Sequence, residues 1–249
     1  MTHRALPAGY VRVTAGRSAV VVRDDLVDDA RALLADGNLY EAAARDLAAR
    51  TLQGRGTAYA IALPVSGLRV VVRRNRHGGL LAPLTRDLFL PPTRAPYELG
   101  TAIRLATAGV HTPALVMYGV DRVHGVFRRA DIVTEEVIGG ADLATYMQPD
   151  VPSARRSNAW AATIALVHAL DAAGARHYDL NVKNILLVPN GASFEAWVLD
   201  VDRVVLGIPN AASIRRGNAE RLVRSARKWR DEKGAVFDER DAAALRLSS

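Results

Sequence analysis

His177-Tyr-Asp179-Leu-Asn181-Val-Lys-Asn184-Ile-Leu-Leu187 is the stretch on which the reading of this chain turns. It has the form H-x-D-x-x-x-x-N and runs into apolar residues of strand character. Asn184 follows Asp179 by the length of a loop, so both side chains can face one cleft. Beyond the turn Pro189-Asn-Gly191 a second apolar run, Ala196–Leu199, leads into Asp200, and Asp202 and Arg203 come after it. That spacing leaves room for a hairpin returning Asp200 to the loop. Phosphoryl transfer needs such parts. One carboxylate sits beside the attacking hydroxyl, while an amide oxygen and a second carboxylate hold magnesium against the phosphates. The competing reading is a surface loop and a strand-end aspartate that match by accident. Three spaced matches in an apolar-flanked order weigh against it.

Around this stretch the texture divides. Two short strands, around Val11 and over Ala19–Arg23, precede an alanine-rich helix with Leu26, Ala30, Leu33 and Leu34 at helical spacing. Gly37-Asn38 breaks it and Leu39–Ala49 resumes it. From Thr51 the pattern is β: Thr57–Leu63, a turn at Pro64–Gly67, and Leu68–Arg73, followed by the basic loop Arg73–Gly79. Pro91-Pro92 opens a helix carrying Glu98, and Ala114–Val120 and Val123–Glu135 read as strands. Ile138-Gly139-Gly140 marks a lobe boundary, beyond which Ser157–Gly174 is the clearest amphipathic helix and the tail from Ala211 is arginine-rich helix. The expectation is an α+β fold: residues 1–50 an extension packing on the first lobe, 51–137 a β-rich lobe with one helix, and 138–249 a mainly helical lobe.

Composition narrows the partners. The 249 residues are 49% apolar and 24% charged, ordinary for a folded chain and unlike a disordered one. Cysteine is absent, which excludes disulfide frameworks, thiolate metal sites and cysteine nucleophiles. Lys and Arg number 33 against 26 acidic residues, a net charge of +7 that favours anionic partners. No apolar run approaches the roughly 18 residues of a membrane span, and the start lacks an apolar signal segment, so a cytoplasmic location is expected. Zinc spacing, a serine elbow and a dinucleotide glycine fingerprint are all missing. Without an aromatic-interleaved basic surface, nucleic acid is not an expected partner.

These motifs resemble the protein-kinase-like superfamily and, more closely, the bacterial lipopolysaccharide core kinase family. That family acts on 3-deoxy-D-manno-octulosonic acid (Kdo) or on heptose. Besides the loop and Leu199-Asp-Val-Asp-Arg203, the resemblance rests on Val72-Arg-Arg-Asn-Arg-His-Gly-Gly-Leu80, Tyr97-Glu98, Phe127–Glu136 and Asn218-Ala-Glu-Arg-Leu-Val-Arg-Ser225. It implies a two-lobed kinase-like fold that uses ATP and Mg²⁺ to phosphorylate a sugar hydroxyl of the lipopolysaccharide inner core, with Kdo on lipid A as the first candidate acceptor. On this reading Asp179 accepts the hydroxyl proton, and Asn184 and Asp200 hold the metal. Arg73, braced by Glu98, contacts ATP phosphates. Gly54 and Gly56 cover the phosphates with backbone amides, and Glu136 and Val137 offer main chain to adenine. His177 reads as a hydrogen-bonding brace. Arg73 departs from the lysine of general kinases but keeps a permanent, forked charge, and the closer family also carries arginine here.

Each of these residues also has an unremarkable reading: a hairpin turn for the glycines, a solvated helix face for Glu98. The rival functions are a small atypical protein kinase, a small-molecule phosphotransferase, and a catalytically dead nucleotide-binding scaffold. No Ala-Pro-Glu-like segment follows Asp200, which counts against a protein substrate. The basic loop Arg73–His77 and the tail cations Arg215, Arg216, Arg221, Arg224, Arg227, Lys228 and Arg230 suggest attraction to an anionic leaflet. Arg221, Arg224 and Lys228 stand at helical spacing, and peripheral binding to the cytoplasmic face of the inner membrane is expected through them.

Overall fold

Val70 and Val72 are buried while Arg69, Val71 and Arg73 point the other way, the alternation of a strand with two different faces. In the computed structural model, which describes residues 5–15, 18–35, 37–52, 56–75, 87–123 and 125–247, that strand belongs to an antiparallel sheet. Among those residues the sheet comprises β1 (Tyr10–Ala15), β2 (Ser18–Arg23), β3 (Arg50–Leu52), β4 (Ala58–Ala62), β5 (Arg69–Arg74), β6 (Leu115–Arg122) and β7 (Arg128–Glu135), in the order β1-β2-β6-β7-β5-β4-β3. The chain divides into two units, residues 1–100 with 114–136 and residues 101–113 with 137–249.

Helices α1 (Val27–Ala35) and α2 (Leu39–Arg45) cover the Val70 and Val72 face. Leu26, Ala30, Leu33, Leu34, Leu39 and Ala43 meet Val20, Val22, Val116, Met117 and Val133 in one buried cluster. Asn38 starts α2 by accepting the Glu41 N–H at 2.9 Å. The helix ends at Arg45, earlier than its alanine content suggests, because Asp46 turns extended and accepts the Ala48 N–H at 2.8 Å. Arg74, on the same face as Val72, pairs with the buried Asp131 at 2.8 Å and donates to Asn38 at 2.9 Å. Burial raises the pKa of Asp131, against the pull of Arg74 and the Tyr40 N–H. The first fifty residues are thus woven into the sheet and its core.

Helix α3 (Ala95–Thr107) begins in the first unit and ends in the second. The second unit continues with β8 (Ala141–Asp142), α4 (Leu143–Tyr146), α5 (Ser153–Ala172), β9 (Ala175–His177), β10 (Ile185–Asn190), β11 (Ser193–Val198), β12 (Val204–Leu206), α6 (Ala212–Lys233) and α7 (Glu239–Leu247). β10 and β11 form the expected hairpin, with β8 on the other edge of β10. β9 and β12 form a second ribbon, pairing Val204 with His177 and Val205 with Arg176. Gly174 makes that ribbon possible. It closes α5 at φ 68°, and a Cβ there would lie 2.6 Å from the Gly207 carbonyl. Trp160 is core, its ring 5.1 Å from that of Phe237.

Candidate active site

The loop between β9 and β10 holds itself in shape. His177 is fully buried at the end of β9. Its Nδ1 accepts the Asp179 N–H at 3.1 Å, so Nε2 carries the proton and donates to the Leu199 carbonyl at 2.9 Å. Burial pushes its pKa down, opposed by that carbonyl and by Asp200 and Asp179. A neutral imidazole spanning the loop and the strand end is a brace, as its sequence context suggests. The Asp179 carbonyl accepts from Asn184 Nδ2 and from Asn181 Nδ2, both at 2.9 Å. Three bonds therefore fix the main chain of Asp179.

Asp200 is one residue beyond a second fixed point. Leu199 donates its N–H to the Asn184 carbonyl at 2.9 Å while its own carbonyl takes His177, so Asn184 and His177 both anchor the end of β11. Asp200 then adopts φ 56° and ψ 49°, left-handed backbone that is uncommon outside glycine and that aspartate tolerates better than most residues. Among the described residues no group of three or more His, Asp or Glu could hold a metal ion. The donors on offer are one carboxylate and one amide oxygen. With Asn184 Nδ2 committed to Asp179, its Oδ1 is the atom left for a cation. Hard oxygen donors in so small a number fit Mg²⁺, which completes its octahedron with water and phosphate. Asp202 and Arg203 pair with each other at 3.6 Å.

Helix α6 contributes residues whose role the sequence spacing alone does not reveal. Asn218, Arg221 and Ser225 lie along one helical face and each reaches the loop. Asn218 is fully buried; its Oδ1 accepts the His177 N–H at 2.9 Å and Arg176 Nη1 at 3.2 Å. Its Nδ2 donates to Asp171 and to the Ala175 carbonyl, both at 2.9 Å. Ser225 Oγ accepts the Val182 N–H at 3.2 Å. Between them Arg221 Nη2 donates to Asp179 Oδ1 at 2.7 Å. This corrects the expectation of a basic face made by Arg221, Arg224 and Lys228, because Arg221 turns inward onto the loop. Other tail cations are paired locally: Arg227 with Glu239 at 2.6 Å, Arg230 with Asp231 at 2.9 Å and Lys228 with Glu232 at 3.9 Å.

The first unit holds the remaining candidates. Arg73, on the β5 face opposite Val72, is ion-paired with Glu98 of α3 and donates to Asn75 Oδ1 at 2.8 Å. Glu98 is only 2% exposed, so its solvated reading fails. Gly56 lies in the connection of the β3–β4 hairpin; Gly54 lies outside the described residues, as do Arg76–Gly79 of the basic loop Arg73–Gly79. Glu136 donates its N–H to the Arg69 carbonyl at 3.0 Å. Its carboxylate also takes Arg50 and, at 3.0 Å, Arg69, a side-chain role that main-chain reasoning passed over. Val137 is the first residue of the second unit's longer segment.

The sequence model of the lipopolysaccharide kinase (Kdo/WaaP) family matches residues 42–246. The 3-deoxy-D-manno-octulosonic acid kinase of Stenotrophomonas maltophilia (strain K279a) is 34% identical over 199 residues, covering 78% of this chain and 75% of that protein. The enzyme of the same name from Vibrio vulnificus (strain CMCP6) is 28% identical over 236 residues, 92% of this chain and 94% of that one. Among solved structures, one described as WaaP in complex with acyl carrier protein is similar in fold. It matches with TM-score 0.55 and 21% identity, across 87% of this chain and 83% of that one.

Proposed function

The chain belongs to the lipopolysaccharide kinase (Kdo/WaaP) family, and from that premise we propose that it moves the γ-phosphate of ATP onto a hydroxyl of Kdo carried by a lipid A precursor. The observation that carries the residue assignment is the fixed geometry of the loop: Asn184 Nδ2 on the Asp179 carbonyl, with His177 and Asn184 anchoring Leu199 just before Asp200. Asp179 orients the attacking hydroxyl and takes its proton. Asn184 Oδ1 and the Asp200 carboxylate would hold Mg²⁺, which supplies charge neutralisation at the phosphates when bound. Arg73, kept in line by Glu98 and Asn75, brings its forked charge to the phosphate oxygens. Gly54 and Gly56 offer backbone amides to the same phosphates, and main chain at Glu136 and Val137 offers adenine its hydrogen bonds. The protein's share of catalysis is positioning and electrostatics.

Among the described residues no helix is long and apolar enough to cross a membrane. Because the acceptor is a lipid, the protein works peripherally, on the cytoplasmic face of the inner membrane. The test is mass spectrometry of a Kdo-bearing lipid A precursor after incubation with protein, Mg²⁺ and ATP. A gain of one phosphate on Kdo is expected. Failure to gain a phosphate on Kdo would overturn the acceptor assignment.

A further inference from the structure

The β9–β12 ribbon has two faces of opposite character. Ala175, His177 and Val204 point inward and are fully buried. Arg176 and Val205, paired across the ribbon, lie on the outer face, and Tyr178 follows Arg176 by two residues on the same side. Tyr178 is 58% exposed, Val205 50% and Ile208 77%. Single exposed apolar residues are ordinary, but these three line one shallow hollow of about 290 Å³. Arg176 shares the hollow, its guanidinium 5.2 Å from the Tyr178 ring centre. No carboxylate is among the described residues lining it. The first turn of α6 borders it without an acidic residue, and Arg215 and Arg216 follow there. The groove along the tail of α6 is different, since Arg224, Arg227 and Lys228 share it with Glu220, Asp231 and Glu232.

We propose that the outer face of the β9–β12 ribbon is the surface by which the protein docks on an anionic lipid leaflet. Tyr178, Val205 and Ile208 enter the headgroup region, and Arg176 beside them adds positive charge toward the lipid. Exposed apolar tips with an arginine among them and no carboxylate in the described lining suit such a leaflet, whereas a groove of balanced charge does not. The placement rests on the kinase reading in one respect: Tyr178 adjoins Asp179, so a leaflet met here brings its lipid-borne sugar beside the acceptor-orienting carboxylate.

The experiment compares wild type, the double variant Val205→Glu/Ile208→Glu, the milder Ile208→Ser and the tail variant Lys228→Glu, each checked for an unchanged thermal melt. Binding is read by co-sedimentation with phosphatidylcholine vesicles with and without phosphatidylglycerol. Turnover is read on the vesicle-borne acceptor and on a deacylated, water-soluble one. Wild type should prefer anionic vesicles by about tenfold or more, and the double variant should lose that preference. Ile208→Ser should fall between, and Lys228→Glu should match wild type within about twofold. The double variant should raise KM for the vesicle-borne acceptor while its kcat/KM on the soluble one stays unchanged. Wild-type binding by the double variant, failure of wild type to bind anionic vesicles, or a wild-type dimer that the double variant splits would each overturn the proposal. If neither acceptor is phosphorylated by wild type, the kinase reading falls, and the vesicle binding alone still decides the docking surface.

Discussion

On the proposed reading Asp179 and Asp200 do different work, and two substitutions separate them. Asp179→Ala is expected to melt normally and bind MgATP as wild type, yet lose transfer by about 10²–10⁴-fold, the scale of a missing proton acceptor. Asp200→Asn should instead weaken Mg²⁺-dependent nucleotide binding, which titration calorimetry reads directly. Equal affinities in the two variants would remove Asp200 from the metal. Arg221 donates to Asp179, so on the same reading Arg221→Ala should lower kcat by about 10²-fold with KM for ATP unchanged, and Arg221→Lys should recover part of the loss. A change confined to KM for ATP would contradict this role. His177 gives the site a pH limit. Burial holds it below the usual imidazole value of 6.5, so as pH falls below 6.5 the unfolded chain binds a proton that the folded one refuses. Stability should therefore decline from 6.5 downward through the depressed native value, and ¹⁵N resonances of His177 should stay those of a neutral ring at pH 6. The loop was legible in the sequence because its geometry is local. Arg221 was not, because its partner lies 42 residues away and helical spacing says nothing of which face turns inward.

At the scale of elements, α6 holds β9 and the loop after it through Asn218, Arg221 and Ser225. Asn218 is its strongest attachment, a buried amide with two bonds accepted and two donated. Asn218→Ala would strand the His177 N–H, the Ala175 carbonyl and the Asp171 carboxyl, whose pKa burial already raises. Each unsatisfied buried group costs about 1–3 kcal/mol, so denaturant unfolding should show a loss of about 3 kcal/mol or more. Ser225→Ala, at a partly buried hydroxyl, should cost about 1 kcal/mol. Equal costs would mean that Asn218 is no anchor. The sequence flagged Asn218–Ser225 only as a resemblance. Likewise β9 and β12, three residues each, are too short for periodicity to declare. Longer strands such as β5 and β7 were readable because their β-branched and apolar residues run together over several positions.

At the scale of the molecule, the first fifty residues have no catalytic motif, and their contribution is to packing. Pattern reading finds their strands and helices but cannot say what they cover, because a packing partner leaves no linear signature. The structure shows the consequence of losing them. Without Val20, Val22, Leu26, Ala30, Leu33, Leu34, Leu39 and Ala43, the Val70, Val72, Val116, Met117 and Val133 side of the sheet faces water. Arg74 and the buried Asp131 would also lose Asn38 and the Tyr40 N–H. Burying a large aliphatic side chain contributes about 1.5–3 kcal/mol, so the combined deficit is comparable with the roughly 5–15 kcal/mol that stabilises a typical domain. Deleting residues 1–49 should therefore unfold the first unit, read as loss of its amide-exchange protection and of MgATP binding through Arg73. The milder Leu39→Ala should cost about 2–5 kcal/mol and leave turnover intact well below its melting point. A truncated protein that kept wild-type protection across β5 and β7 would show that this region is an appendage and no part of the core.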